Sequence, residues 1–405
     1  MKFIHAADLH LDSPFLGLRQ LPNSLLTQVR NATFDAATVV FDRALAEHVD
    51  FVLLAGDLFD RAEQSVAAQA YLFQQFERLN TAKIPVLVSF GNHDYLADQH
   101  QTVAYPENVT VFGAKVETKT LTLASGETVA ISGFSYPQRW VPTDQTVAFP
   151  THAATDWHIG MLHGAVSAGP DDHYAPFTVA ELLAKRYDYW ALGHIHQRQR
   201  LQEQPPIIYA GNTQGRSVTE AGDRGAYLVT SEQGELVPQF FSTAAILWET
   251  PSLKMTGTTL QDLSRQLSDW LVAHPAERPT LTAFTVKLSQ ALDDEDRAQV
   301  ATGDWLSLWQ RTQARVMRAA NRYVTAIKFE AKPVAISAPQ LDQQYWDQGA
   351  TDVFNPVNLQ DLFGKLAQEP ALAAWFTREQ TASDLETAAR QQLADLMGKE
   401  DDHAS

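Results

Sequence analysis

Five short apolar runs, each ending in side chains of the kind that bind metal, constrain this chain more than any other feature. Residues 51–60, FVLLAGDLFD, show the pattern most fully. Five nearly pure apolar residues run into Gly-Asp, which is how a buried strand delivers one carboxylate, here Asp57, at its C-terminal end. The other four runs are FIHAADLH, VLVSFGNHD, WHIGMLHG and YWALGHIH. Stretches at helical spacing fall between them, over about 24–49 and 62–79, so the N-terminal half alternates strand and helix as an α/β domain should.

Composition limits what such a site can be made of. A chain of 405 residues, 45% hydrophobic, can bury a large core and has room for more than one domain. It has no cysteine, which excludes thiolate zinc sites, iron-sulfur clusters, cysteine nucleophiles and disulfides. Any metal must sit on His, Asp, Asn or Glu. The start, MKFIHAADLH, enters a strand directly and reads neither as a signal peptide nor as a membrane span, so a cytoplasmic location without membrane association is expected. The net charge of −17 argues against a general basic field that coats nucleic acid. Any DNA contact must therefore be local, and divalent ions would offset part of the negative charge at a carboxylate-rich site.

Asp8 and His10 are two residues apart and point the same way from a strand end, and His194 and His196 repeat that geometry. Asp57 can bridge two ions with its two oxygens, Asn92 offers a neutral carbonyl oxygen and His163 a further imidazole. Hard oxygens plus imidazole without sulfur suit manganese, iron or zinc better than calcium. Two such ions roughly 3.5 to 4 Å apart can generate hydroxide near neutral pH and neutralise the oxygens of an attacked phosphate, which makes phosphoester hydrolysis the natural reaction. A lone D-x-H or G-D is more often a cap or a turn. GNHD and GHIH are more specific, and five motifs in this order leave the bland reading little room. His5, His48, His100, His152, His158 and His274 read as ordinary surface or packed histidines, whereas His173, in the polar loop SAGPDDHYAPFT, is a candidate to touch substrate.

Together DLH, GDLFD, GNHD, LHG and GHIH resemble the five motifs of the calcineurin-like metallophosphoesterases. More narrowly, FIHAADLHLDSPF, GDLFD and YAGNTQGR resemble the bacterial YhaO-type DNA repair exonuclease group, relatives of the nuclease subunit of SbcCD. The resemblance spans about residues 1–240. It implies a four-layer α/β sandwich of two mixed β-sheets flanked by helices, and a metal-dependent DNA exo- or endonuclease acting in DNA repair. It also implies two divalent metal ions, Mn2+ first and Fe2+ or Zn2+ second. The implied partner besides DNA is an SMC-type coiled-coil ATPase of the YhaN or SbcC kind, and a homodimer is compatible with it. Carried over by position, one ion is held by Asp8, His10, Asp57 and His196, and the other by Asp57, Asn92, His163 and His194. His93 falls where the family places a histidine that contacts the scissile phosphate and protonates the leaving oxygen, with Asp94 orienting it. Attack would then be in line, with no covalent enzyme intermediate. Two departures stand out: Asp60 occupies the place of a histidine in the archaeal and eukaryotic nucleases, and NTQGRS replaces the GSP of SbcCD. Arg216 is weighed between a phosphate contact and a structural ion pair.

The resemblance weakens where the texture changes near residue 244. The expected organisation is a metallophosphoesterase (nuclease) domain over 1–243, a small α+β capping domain over 244–335, and a C-terminal helical region over 336–405 suited to partner docking, with a disordered acidic tail. One helix is expected over 305–323, with Trp305, Trp309, Thr312, Val316, Ala319 and Tyr323 as its core stripe. Beside it Arg311, Arg315, Arg318 and Arg322 form either a solvated face or a phosphate-tracking surface. Terminal helices are expected over 359–367 and 382–397, the latter with Leu385, Ala389, Leu393, Leu396 and Met397 on one face. Two other functional readings stay beside the nuclease. One is a phosphoesterase acting on a nucleotide or phosphoprotein, and the other is a non-catalytic scaffold subunit, against which the complete ligand set argues.

Overall fold

The computed structural model describes residues 1–15, 18, 21–61, 63–96, 104–167, 173–288, 292, 294–330, 343–364, 381–383, 385–386 and 389. In chain order the elements of the first two-thirds are β1 (Lys2–Ala6), α1 (Asn23–Ala46), β2 (Phe51–Ala55), α2 (Val66–Thr81), β3 (Val86–Ser89), β4 (Val109–Val111), β5 (Glu117–Thr122), β6 (Thr128–Gly133), β7 (Trp157–His163), α3 (Val179–Ala184), β8 (Tyr189–Gly193), β9 (Gln199–Gln202), β10 (Ile207–Tyr209), β11 (Gly225–Glu232) and β12 (Glu235–Ser242). Then follow β13 (Leu247–Glu249), β14 (Ser252–Lys254), α4 (Leu260–Ala273), β15 (Thr280–Lys287), α5 (Asp294–Ala301), α6 (Asp304–Thr312), α7 (Ala314–Ala320), β16 (Arg322–Glu330), α8 (Gln343–Val353) and α9 (Pro356–Phe363).

Two six-stranded mixed sheets dominate, in the orders β12-β11-β1-β2-β3-β4 and β5-β6-β7-β8-β10-β9. Strands β1, β2, β3 and β4 run parallel, as do β6, β7, β8 and β10, while the pairs β1/β11, β11/β12, β5/β6 and β9/β10 are antiparallel. The central strands β2, β3, β7 and β8 are buried along their whole length, which is why they read as unbroken apolar runs. Alternation then decides which face each side chain serves. Phe3, Phe51, Leu53 and Leu87 of the first sheet meet Ile131, Ile159, Met161, Tyr189 and Ile208 of the second. Their neighbours Ile4, Val52, Leu54 and Val88 turn to the other face, onto Ala37, Val40 and Phe41 of α1 and Leu72 and Phe76 of α2. On the far side of the second sheet, Leu162, Trp190 and Leu192 pack with Leu182 of α3 and with Phe134, Tyr136 and Phe149. The result is the expected four-layer sandwich.

Helix α1 serves two cores. Its C-terminal half covers the first sheet, whereas Leu25, Val29 and Ala32 of its N-terminal half pack with Leu18, Ile246, Trp248 and Leu281. Of these, Ile246, Trp248 and Leu281 belong to or flank a third, four-stranded sheet, β13-β15-β14 with β16 paired to β15. Because that core is shared, residues 1–286 and 292–329 form one compact unit, and no boundary between units falls at 243/244. Residues 287–291 and 330–405 form the other unit, whose described elements include α8 and α9. The face expected on the last helix, and the acidic tail, lie largely outside the described residues.

The helix expected over 305–323 is two helices. Residue Gln313 (φ −95°, ψ 8°) separates α6 from α7, and Asn321 ends α7 in the left-handed conformation (φ 53°), after which β16 begins. The expected core stripe is accordingly corrected: Trp309, Gln310, Met317 and Ala320 are buried, whereas Thr312 and Ala319 are exposed.

Candidate metal centre

Each of the five motifs leaves the C-terminal end of a parallel strand. Asp8 and His10 follow β1, Asp57 follows β2, Asn92 and His93 follow β3, His163 is the last residue of β7, and His194 and His196 follow β8. Strands β1, β2 and β3 are neighbours in one sheet, and β7 and β8 are neighbours in the other. The two packed sheets thus present all seven predicted ligands at one edge. The backbone there is unusual: Asp8 (φ 51°), His10 (φ 43°), Asp57 (φ 50°) and His194 (φ 97°) all have positive φ. Such conformations cost of order 1–3 kcal/mol each and gather at functional sites. Asp8 N–H donates to Gly56 O and His10 N–H to Asp57 O, each at 3.0 Å, so two of the turns hold each other.

The glycines that precede three ligands are required by close approach. A Cβ on Gly91 would stand 2.3 Å from Asp57 Oδ1 and 2.6 Å from His163 Nε2, and one on Gly193 would stand 1.9 Å from Ala55 O. No side chain fits at either point.

The atoms that converge are carboxylate oxygens, an amide oxygen and imidazole nitrogens. His163 Nδ1 lies 3.1 Å from Ala55 O, so that nitrogen carries a proton, and Nε2 faces Asn92 Oδ1 at 3.1 Å and Asp57 Oδ2 at 3.4 Å. Asn92 Oδ1 is also 3.0 Å from His194 Nδ1. The Nε2 atoms of His10 and His196 face each other at 3.0 Å, and His10 Nδ1 is buried without a hydrogen-bond partner. Ligand atoms of Asp8, His10 and His196, and of Asp8, Asp57 and His163, lie within 4.8 Å of one another. Carboxylates and imidazoles gathered in a buried site are stable only with positive charge among them, from protons or from a cation. The donor set of carboxylate, amide oxygen and imidazole therefore fits divalent cations.

The electrostatics show the same demand. Burial disfavours the His163 imidazolium, but the Asp57 and Asp8 carboxylates outweigh it and raise the imidazole to about 9. Burial pushes Asp57 up, yet His163 and its neighbours pull it well below the usual carboxylate range. Asp8 is raised by burial, against the pull of His163 and His196, and its carboxylate accepts the His194 N–H at 3.0 Å. Burial and His163 together lower His194 to about 3.

His93 sits at the rim, half-buried, with its N–H donating to Asp57 Oδ1 at 2.9 Å and its ring Nδ1 2.8 Å from Asp60 O. The ring is thus oriented by the Asp60 carbonyl, not through the Asp94 carboxylate as the sequence suggested. Asp94 is fully buried and accepts N–H groups of Leu58 (2.6 Å), Phe59 (3.3 Å) and Gly91 (2.7 Å), which ties the Asp57 and Asn92 loops together. Burial, and then Asp57, raise it to about 7.

Sequence reasoning missed Glu220. Its Oε1 is 2.7 Å from His196 Nδ1, and its Oε2 accepts from Asn212 Nδ2 (2.8 Å) and Arg216 N–H (2.7 Å). A carboxylate behind a ligand imidazole fixes the tautomer that leaves Nε2 for metal. Burial opposes its charge, but His196 and Arg216 hold it down to about 2. Only the turn signal in IIYAGNTQGR hinted at this support. Arg216 completes it, donating to Asp60 Oδ1 at 2.6 Å and lying 3.5 Å from Glu220 Oε1, so the ion-pair reading of Arg216 describes what the structure shows. Gln214 of the same turn accepts the N–H of Ala245 and donates to Ile246 O, tying it to the third sheet.

The remaining candidates do not join this cluster. His173 is exposed, and its carbonyl accepts the Val141 N–H. Arg311, Arg315 and Arg318 are exposed on α6 and α7. Arg322 leaves the stripe altogether: it stands on β16 and pairs with Glu249 and the His274 carbonyl. His5 and His158 are buried and hydrogen-bonded, His48 and His274 are exposed, His152 is half-buried, and His100 lies outside the described residues.

The sequence profile of the calcineurin-like phosphoesterases matches residues 1–198. Over 259 residues the chain is 44% identical to a protein of Bacillus subtilis (strain 168) described as "uncharacterized metallophosphoesterase YhaO", covering 63% of this chain and 64% of that one. It is 25% identical over 290 residues to the DNA double-strand break repair protein Mre11 of Thermoplasma acidophilum, covering 67% and 74%. With Mre11 of Methanocaldococcus jannaschii the identity is 27% over 251 residues, covering 58% and 64%. The matched part thus spans 64% of the length of the YhaO protein. With its candidate ligand motifs at the ends of β1, β2, β3, β7 and β8, the region over residues 1–198 is similar to the calcineurin-like phosphoesterases.

Proposed function

We propose that this protein is a metal-dependent phosphodiesterase that cleaves DNA in repair, with two divalent ions, Mn2+ first, at the centre described above. The observation that carries the reading is the convergence of Asp8, His10, Asp57, Asn92, His163, His194 and His196 from two sheets onto one buried spot. Asp8, His10, Asp57 and His196 would hold one ion, and Asp57, Asn92, His163 and His194 the other. Bound there, the ions would activate water and neutralise the phosphate oxygens. The protein's own part is placement. Asp94 and the paired turns lock the ligand loops, Glu220 fixes His196, and Asp60 O holds His93 Nδ1–H, so that in its imidazolium form His93 would give its Nε2 proton to the departing 3′ oxygen and be left as neutral imidazole. DNA as substrate is supported by the similarity to the two Mre11 proteins, named for double-strand break repair. The test is a nuclease assay on single- and double-stranded DNA with Mn2+ and with chelator. Cleavage that needs metal and falls in Asp57→Ala and His93→Ala supports the reading, and metal-independent cleavage or none removes it.

We further propose as partner the SMC-type coiled-coil ATPase that the motif resemblance implies, docked through the C-terminal region. Deleting the residues after Pro339 should abolish association with such an ATPase while sparing hydrolysis of a small phosphodiester. Retained association would place the docking site elsewhere.

A further inference from the structure

We propose that Trp140, with Arg139 against its ring, is a stacking platform for one unpaired base of a polynucleotide strand whose phosphodiester lies at the metal centre. The proposal rests on the nuclease reading and deepens it by naming a substrate class: a strand with an unstacked base beside the scissile bond.

Placement is the first argument. Residues 137–140 form an exposed loop between buried Tyr136 and buried Val141. The Tyr136 ring packs edge-on to His163, 5.5 Å between centroids, and its backbone accepts from Leu96 N–H and donates to Phe90 O, bracketing the Asn92-His93 turn on both sides. Val141 forms an isolated bridge to Tyr174, donating its N–H to His173 O and accepting from Ala175 N–H, and the Tyr174 ring lies over that of His194 at 4.5 Å. Each foot of the loop therefore stands beside a residue in contact with a metal-ligand imidazole. A polynucleotide strand bound at the centre would therefore have this loop as a neighbour.

Chemistry is the second. Trp140 is 52% exposed and is the sole aromatic among the large exposed hydrophobic side chains of the described residues. The Arg139 guanidinium lies 5.6 Å from its ring centroid, and Gln138 Nε2 donates to Trp140 O at 3.2 Å, which stiffens the turn. An indole held out at a rim and backed by a cation is what base stacking uses, and stacking tolerates any sequence because every base has a π-face. It also suits the charge. A chain of −17 repels phosphates at long range, and stacking is an attraction that does not depend on net charge.

The test is fluorescence anisotropy with a labelled single-stranded oligonucleotide and an abasic oligomer of equal length and charge, before metal is added. Wild type should prefer the base-bearing oligomer, and Trp140→Ala should lose roughly tenfold or more of that affinity while holding the abasic oligomer as before. Trp140→Phe should keep most of the preference, and Arg139→Ala should weaken both oligomers and reduce the salt slope. A preference retained in Trp140→Ala, or equal binding of both oligomers by wild type, overturns the platform and leaves the nuclease reading standing. Binding of neither oligomer, together with no cleavage, overturns both.

Discussion

A carboxylate behind a ligand imidazole is worth most when nothing else can fix that imidazole. His196 is half-exposed, so its ring has room to turn, and the Glu220 oxygen 2.7 Å from Nδ1 is what points Nε2 inward. Removing such a support typically costs about 10- to 100-fold in metal affinity. Glu220→Ala should therefore weaken Mn2+ binding by that order in titration calorimetry, with Glu220→Gln between it and wild type. Unchanged affinity in Glu220→Ala would mean that packing alone orients His196. A second single-residue effect concerns pH and lies away from the metal. His5 is fully buried, with Nδ1 3.0 Å from Tyr189 Oη and Nε2 3.2 Å from Leu192 O. Burial pulls it down to about 3, against the Leu192 carbonyl. A histidine with a depressed folded-state value is neutral when folded but takes a proton in the unfolded chain below about pH 6.5. Its contribution is complete above that pH and is lost as pH falls from there toward 3, at up to about 1.4 kcal/mol per pH unit. His5→Phe should flatten that part of the stability-against-pH curve measured by urea unfolding, and parallel curves for the two proteins would refute it.

At the scale of elements, the break between α6 and α7 redistributes the arginines that a single helix would have aligned. Arg311, Arg315 and Arg318 remain on exposed helix surface, whereas Arg322 is drawn into β16, where its guanidinium meets Glu249 and lies 5.3 Å from the Trp270 ring centroid. The two groups should behave differently. Arg322→Ala is expected to destabilise the protein by about 1.5–3 kcal/mol, as loss of a charged hydrogen bond does, read from the urea midpoint. Replacing Arg311, Arg315 and Arg318 together should leave stability within about 0.5 kcal/mol per site. If they track phosphates, it should lower the slope of log affinity for DNA against log salt by about 2 to 3. An unchanged slope would mark them as solvated surface. The strands were legible because β2, β3, β7 and β8 are buried on both faces and so read as unbroken apolar runs. The short strand β9, exposed or half-exposed throughout, has no such signature.

At the scale of the whole molecule, the two-sheet sandwich brings residues nearly two hundred positions apart, Asp8 and His196, into one cluster. A cation bound only by the folded cluster stabilises the fold by mass action, about 2.7 kcal/mol at a hundredfold excess over Kd. Adding Mn2+ should raise the melting temperature of wild type, and Asp57→Ala should abolish most of that rise. Chelator should reverse it. The third sheet contributes differently: it shares a core with the N-terminal half of α1 and is tied to the turn that carries Arg216 through Gln214. Together Asp60, Arg216, Glu220, Trp248 and Thr325 help line a cleft of 480 Å³ between the metal edge and that sheet.

By itself the amino-acid sequence determined the alternation of buried strands and helices and the order of the seven candidate ligands, because apolar period and residue type are local properties of the chain. It also determined what the site could not contain, since a chain without cysteine has no thiolate to offer. Tertiary structure alone decided that Asp60 O and not Asp94 orients His93, that Glu220 stands behind His196, and that residues 244–286 and 292–329 fall in one compact unit with the N-terminal sandwich. Those outcomes depend on distances between segments far apart in sequence and on positive-φ turns at Asp8, His10, Asp57 and His194. No local pattern encodes them, because they exist only once the two sheets have packed.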